Sequence, residues 1–334
     1  MSEHSMRREG ATTPSGSPDY DEILQNRLMT ICLGIGFDER GANLQTENHV
    51  VQGIQRLGFV RNDQVAFKWL EKGNRPLPQH KGAHFVYHTK HLQDKHGQLV
   101  DVVLTIVCAG RGNEGKEDAA AFLEGMDRCE VAAYGGHGRY GTGLDFDYNF
   151  TADLHDEHGK PQRYRSYETL EDKLEHMAKA ANRSIKEQYH HLVANKQLII
   201  DGRNDGNIVI NLHNYHGGEF GGMVMIDQLK ADNDIRRFAK HGFAKKYRTW
   251  LFQGCRTWDY FHSLHEHSTA KAGGLDVFGT RRITNWANTA SSLLTFVNGV
   301  LRRHTYAELL AALGKVNPPA KKDDGPSHAV DIHR

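Results

Sequence analysis

The chain has 334 residues, 38% of them hydrophobic and 9% aromatic, which is enough apolar material for one large packed domain or two. With 42 Lys plus Arg against 41 Asp plus Glu, it lacks the basic excess that draws proteins onto phosphate backbones, so nucleic acid is not an expected partner. No apolar stretch approaches the roughly 20 residues of a membrane helix, and the polar start Met-Ser-Glu-His-Ser-Met-Arg-Arg is no signal peptide; a cytoplasmic protein with no membrane partner is expected.

Residues 1–22 are Ser, Pro, Gly and charge with almost no apolar content, so disorder is expected there, as in the tail 317–334 with its Pro318, Pro319 and Lys-Lys-Asp-Asp run. A domain over 23–316 lies between them. Leu28 to Ile35 predicts a first strand, and Thr46 to Leu57 a helix capped by Thr46 and ended by Gly58. Residues 61–98, Pro- and His-rich at their centre, read as a strand or hairpin excursion. Leu99 to Cys108 predicts a second buried strand, and Lys116 to Met126 a short helix leading into a strand that stops at His137. Alternation of strands and helices predicts an α/β fold, a mostly parallel sheet flanked by helices in three layers.

Leu170, Leu174, Met177, Ala181, Ile185, Tyr189 and Leu192 recur at steps of three and four, which predicts one amphipathic helix over 169–192 within an insertion spanning about 150–240. Ile208 to Tyr215 predicts a strand followed by a loop with Gly217, Gly218, Gly221 and Gly222. A strand ending at Cys255, a helix through about His265, a strand over 275–279 and a helical pair over 286–300 and 306–313 complete the pattern.

Two segments carry the chemistry: Val-Ala-Ala-Tyr-Gly-Gly-His-Gly at 131–138 and Trp-Leu-Phe-Gln-Gly-Cys-Arg-Thr at 250–257. Each is an apolar run that stops at a reactive side chain, and side chains at the carboxyl ends of parallel strands share one crevice. Histidine beside cysteine makes a thiol nucleophile, because the imidazole can take the thiol proton and the thiolate attacks. The four cysteines are far apart with no Cys-x-x-Cys pair, against a disulfide framework or a cysteine zinc site. Cys32 and Cys108 lie inside apolar runs, and Cys129 reads the same way; Cys255 marks a strand end.

The His-Gly and Gln-Gly-Cys-Arg-Thr segments, in that order, resemble the caspase-like cysteine peptidases, the group of caspases, metacaspases, gingipains and legumains. Gln253, Gly254, Cys255 and Arg256 stand where caspases often have Gln-Ala-Cys-Arg. Gly-Phe-Asp-Glu-Arg-Gly-Ala-Asn-Leu at 36–44, leading to Leu-Gly-Phe at 57–59, is also similar to the caspase start. The resemblance covers roughly residues 28–60, 99–145 and 245–313 and leaves the insertion outside it. It implies an endopeptidase in which Cys255 is the nucleophile, His137 transfers the proton, and the backbone N–H groups of Gly138 and Cys255 form the oxyanion hole. It further implies that Gln253 and Arg40 line the pocket for the residue before the scissile bond. The aspartate that metacaspases carry at the glutamine position is missing, so an acidic or small polar residue is expected there. Arg281 and Arg139 are rival candidates for the arginine. A protein or peptide substrate, regulation by a partner protein and no cofactor follow from the same resemblance.

Gly136, Gly138 and Gly141 spell a dinucleotide-like glycine pattern, but no helical pattern follows to hold a phosphate. The pairs His88 and His91, His213 and His216, and His262 and His265 with His267 nearby leave a metal-dependent hydrolase as one alternative, although no metal is expected. An inactive caspase-like binding module is the other.

Overall fold

The computed structural model describes residues 15–36, 41–62, 83–109, 115–139, 143–146, 151–164, 167–201, 207–208, 241–255, 257–258, 269–282, 284–318 and 326–333. At its centre lies an eight-stranded sheet. β1 (Leu28–Ile35) is paired in parallel with β4 (Leu99–Cys108) on one side and with β5 (Val131–Gly135) on the other. β12 (Arg248–Gln253) lies parallel between β5 and β13 (Leu275–Thr280). Antiparallel strands close both edges: β2 (Val60–Arg61) and β3 (Ala83–Gln93) beyond β4, and β14 (His328–His333) beyond β13. At the two ends of the 61–98 excursion, Val60–Arg61 and Ala83–Gln93 pair antiparallel; residues 63–82 lie outside the described residues.

Period-two alternation sorts the parallel strands onto two cores. Met29, Ile31, Leu33 and Ile35 of β1 face a core shared with helix α2 (Ala42–Arg56), whose Val50 and Ile54 pack there. Later helices α6 (Thr289–Leu301) and α7 (Tyr306–Val316) cover that same core through Leu293, Phe296, Val297, Tyr306 and Leu309. Cys32 points the other way, into a core with Phe122 and Met126 of helix α3 (Gly115–Arg128), Tyr134 of β5 and Trp250 of β12. This is a three-layer α/β arrangement. Both sheet faces are covered, so the central strands read as continuous apolar runs.

Several sequence expectations need correction. The N-terminal segment expected to be disordered includes residues 15–19 and the start of helix α1 (Tyr20–Leu24), capped by the Asp19 carboxylate. Tyr20, Ile23 and Leu24 are buried, and the Tyr20 hydroxyl donates to the His304 carbonyl at 2.7 Å. The expected C-terminal tail contains β14, which pairs over its whole length with β13 and seats Val330 and Ile332 against the larger core. Its short alternation of apolar and polar residues was outweighed in composition by the charged run before it. The expected single helix over 169–192 is two helices, α4 (Tyr167–Ala180) and α5 (Ile185–Ala194). Asn182 takes a left-handed φ of 51°, and Ser184 with Glu187 forms a reciprocal capping box that starts the second helix. One apolar stripe spans both because each packs on the same small core.

That core belongs to a unit within the insertion. β8 (Thr151–His155) pairs antiparallel with β9 (Pro161–Tyr164) and β10 (Leu198–Asp201), and Leu154, Tyr164, Leu170, Leu174, Tyr189 and Leu192 pack together. Elsewhere, β6 (Gly138–Arg139), β7 (Gly143–Asp145) and β11 (Asn207–Ile208) form a second small sheet. The chain after Gly136 thus enters strands, so a phosphate-holding helix does not follow the glycine pattern. The remainder of the expected strand over 208–215, the glycine loop after it and the helix toward His265 lie outside the described residues.

At the amino ends of the strands, ion pairs fasten the sheet. Arg248 of β12 is fully buried; its Nη2 donates to Asp127 Oδ1 at 2.8 Å, and its other N–H groups reach the carbonyls of Asp127, Lys246, Ala244 and Ala270. The hydrogen bond to His241, the Ala244 N–H at 2.8 Å and the Arg248 charge hold the Asp127 carboxyl down at about 2 despite its burial. Beside them Glu130 accepts from the Thr30 N–H and hydroxyl at 2.8 and 2.7 Å and pairs with Lys246 at 3.2 Å. Removing one member leaves a buried charge uncompensated. Asp127→Ala is expected to lower stability by about 3 kcal/mol in urea unfolding at neutral pH, and a loss below 1 kcal/mol would mean that the carbonyls alone satisfy Arg248.

Candidate active site

Strand register places His137 and Cys255 at equivalent positions beyond the ends of adjacent parallel strands. β5 and β12 pair in parallel with Gly135 opposite Gln253, so each reactive residue stands two positions beyond the same rung. Adjacent strands lie about 4.8 Å apart, and the pairing continues past the strand ends, where the Gly136 N–H donates to the Gln253 carbonyl at 3.0 Å. The two segments share the carboxyl edge of the sheet. Gly135 permits this: a Cβ there would fall 2.4 Å from the Thr289 methyl at the start of α6, so the helix rests directly on the strand that delivers His137. The Tyr134 hydroxyl donates to the His137 carbonyl at 2.9 Å and steadies the backbone as it leaves the sheet.

Two buried threonines fix the turn that carries Cys255. Thr257 Oγ1 donates to the Phe252 carbonyl at 2.5 Å and accepts the Thr280 N–H at 2.9 Å, while the Thr280 hydroxyl donates to the Gly254 carbonyl. Both side chains are inaccessible to solvent. Cys255 itself is half-buried, with its Sγ 3.8 Å from the Thr284 carbonyl oxygen and 3.9 Å from the Thr284 hydroxyl. Among the described residues no backbone acceptor takes the Cys255 N–H. Residues 257–258 are helical; the rest of the helix expected after the nucleophile is outside the described residues. Gly138 opens β6, opposite Leu144.

The expected substrate pocket fares differently at each position. Gln253 does not face a pocket: it is 1% exposed, its Nε2 donates to Asn317 Oδ1 at 3.3 Å, and its Oε1 lies 2.9 Å from His328 Nε2. Both ends of the amide are occupied within the fold, so its assignment to substrate is corrected to a structural one. Asn317 passes the network to Ser292 Oγ at 2.8 Å, and Ser327 Oγ meets His328 Nδ1 at 3.0 Å. Arg40 lies outside the described residues, as does the side chain of Arg139, whose backbone is in β6. Arg281 stands just past the end of β13, next to Thr280, whose hydroxyl donates to the Gly254 carbonyl of the Cys255 turn. Its guanidinium lies 5.4 Å from the centre of the Trp258 ring, and its buried Nε has no hydrogen-bond partner among the described residues.

Sequence reasoning missed the segment Thr284–Asn285–Trp286. Trp286 lies against His137, the ring centroids 5.2 Å apart, and its indole N–H donates to Thr46 Oγ1 at 3.0 Å. Thr46 is not the cap of α2, because the helix begins four residues earlier, at Ala42. Among the described residues no group of three or more His, Cys, Asp or Glu side chains is arranged to hold a metal ion. The side chains of His88 and His91, and all of His213, His216, His262, His265 and His267, are outside those residues. Among the described residues, no helix is long and apolar enough to cross a membrane. Comparison with models of known protein families, with curated protein sequences and with solved structures finds no match.

The network under the Cys255 turn is neutral. Gln253 Oε1 can only accept, so His328 carries its proton on Nε2 and accepts from the Ser327 hydroxyl at Nδ1. Burial pushes the His328 imidazole down to about 4 from an ordinary 6.5. A histidine with a depressed folded pKa contributes fully above the unfolded value, and its contribution is lost as pH falls from 6.5 toward 4. Unfolding stability should therefore drop by about 2 kcal/mol between pH 7.5 and pH 5 through this one residue. In His328→Gln, which keeps a donor and an acceptor but does not titrate, urea unfolding at the two pH values should show a drop smaller by that amount. An equal drop in both proteins would show that His328 is not the group responsible.

Proposed function

We propose that the chain is a caspase-like cysteine endopeptidase acting through Cys255 and His137. The observation that carries this reading is the shared register of β5 and β12, which brings an imidazole and a thiol to equivalent positions on adjacent parallel strands. In the proposed reaction His137 takes the proton from Cys255 Sγ, and the thiolate attacks the scissile carbonyl carbon. The oxyanion that forms is received by backbone N–H groups, those of Cys255 and Gly138 in this reading. Collapse of the intermediate passes the proton from His137 to the leaving amine and leaves a thioester. Water, deprotonated by the same histidine, then releases the acid and restores the thiol.

Thiol environment supports the choice of nucleophile. Burial together with nearby Glu47 pushes the Cys108 thiol well above its usual range and the hydrogen bond to Cys129 raises that of Cys32; the Cys129 thiol is held down by Cys32, but both are closed off from solvent and from any substrate. Iodoacetamide at pH 7 should label Cys255 at least about tenfold faster than the other thiols; equal or slower labelling of Cys255 would favour a binding module that has kept the fold without the chemistry. The decisive assay compares cleavage of a peptide library by the wild type and Cys255→Ala. Cuts confined to the wild type and sharing one residue before the scissile bond establish the activity; identical maps reject it.

For specificity, Arg281 stands just past β13 next to the Cys255 turn with its guanidinium 5.4 Å from the Trp258 ring centre, and in this reading that cation receives an acidic residue before the scissile bond. Charge-assisted bonds to a carboxylate are directional and worth enough to sort substrates. On this reading Arg281→Gln lowers kcat/KM for Asp- or Glu-containing substrates by about 30-fold and leaves uncharged ones nearly unaffected. An unchanged ratio between the two substrate sets would transfer the role to another cation. The cellular target, a regulatory partner protein and a cytoplasmic site of action belong to the same proposal.

A further inference from the structure

One three-residue segment touches both members of the proposed pair. Thr284 offers its carbonyl oxygen and hydroxyl to Cys255 Sγ, at 3.8 and 3.9 Å, and Trp286 lays its indole against the His137 ring at 5.2 Å and 44°. Asn285 between them is exposed, and its side chain accepts from the Ala287 N–H, which starts the short helical turn leading into α6. The segment is anchored from across the molecule: Trp286 Nε1 donates to Thr46 Oγ1, 240 residues away in sequence. Thr46 belongs to the inward face of α2. That face changes character along the helix, from Asn43 and Thr46 at its amino end to Val50 and Ile54 below. Asn43 in turn holds the Ala109 carbonyl at 2.7 Å, where β4 leaves the sheet. The polar end of the helix therefore sits at the carboxyl edge of the strands, level with the site.

On the reading of Cys255 and His137 given above, we infer that Trp286, oriented by its hydrogen bond to Thr46, is a positioning residue for the His137 imidazole, and that Thr284 sets the resting direction of the Cys255 thiol. An indole packed on one side of a histidine limits rotation of the imidazole, and a fixed ring is what proton transfer between two side chains requires. The Thr46 hydroxyl matters because it fixes the plane of the indole; without it the ring is free to tilt away. Thr284 acts at the other end, giving the neutral thiol a weak acceptor until substrate arrives.

The test measures carboxymethylation of Cys255 by iodoacetamide in the full chain across pH, quantified by peptide mass spectrometry, in wild type, Thr46→Val, Trp286→Phe, the double variant and His137→Ala. Thr46→Val keeps the volume and removes the acceptor; Trp286→Phe keeps an aromatic ring and removes the donor. Each should slow labelling at pH 7 by about tenfold and change the shape of the pH profile. The double variant should be no slower than either single one, since both remove the same bond. Urea midpoints report structural damage separately. If Thr46→Val and Trp286→Phe retain the wild-type profile while His137→Ala loses it, the pair stands and the positioning role falls. A change in the urea midpoint with an unshifted pH profile overturns the role too. If His137→Ala itself labels like wild type, the pair and the role resting on it both fail.

Discussion

The pairing of β5 with β12 is the constraint on which the site depends. Side chains alternate along a strand, so a slip of one residue would turn Trp250 and Phe252 from the α3 core to the opposite face and remove His137 from the level of Cys255. The register is secured at both ends. Below, the Thr249 N–H donates to the Glu130 carbonyl at 2.9 Å, and the Arg248 guanidinium gathers Asp127 and four main-chain carbonyls. Above, Gly136 reaches across to Gln253. Buried, paired ions gather at the amino ends of the strands, so the site is built over a lower layer whose position they fix.

Polar residues near Cys255 divide into those that hold the fold and those with capacity left over. Thr257 and Thr280 spend their hydroxyls on the turn, and Gln253 spends its amide on His328 and Asn317. A side chain engaged at both ends in a buried network cannot also receive a substrate without leaving its partners unsatisfied. Arg281 is different, with a guanidinium half over an indole and an Nε left without a partner among the described residues.

The same network ties in the segments whose composition suggested disorder. β14 supplies His328 to the floor beneath the Cys255 turn, and Tyr306 of α7 donates to the buried Asp276 at 2.7 Å while its N–H reaches Gly16 at 3.0 Å. Tyr247 also donates to Asp276, and its hydroxyl accepts the Asp19 N–H. Both terminal segments are thereby held by hydrogen bonds to the parallel core. Charge-rich flanks dominate their composition, yet a few well-placed apolar and aromatic residues suffice to order them once a partner surface exists.

Much of the architecture is a local property of the chain. Leu28–Ile35 and Leu99–Cys108 are strands with the bounds their apolar runs predict, because strands buried on both faces need uninterrupted hydrophobicity, and Gly-bounded runs ending at His137 and Cys255 mark the carboxyl ends of β5 and β12. The sequence by itself thus determined the layer order and the two residues at the strand ends. Only the tertiary structure decided what surrounds them: that Thr46 receives the Trp286 indole rather than capping a helix, that Gln253 turns to His328, that Arg248 is buried and that the 169–192 stripe breaks at Asn182. The reason is physical. Periodicity and caps are set by neighbours three or four residues away, whereas a polar side chain takes whichever partner the packed fold brings within 3 Å or so, and no local pattern encodes a partner 240 residues distant.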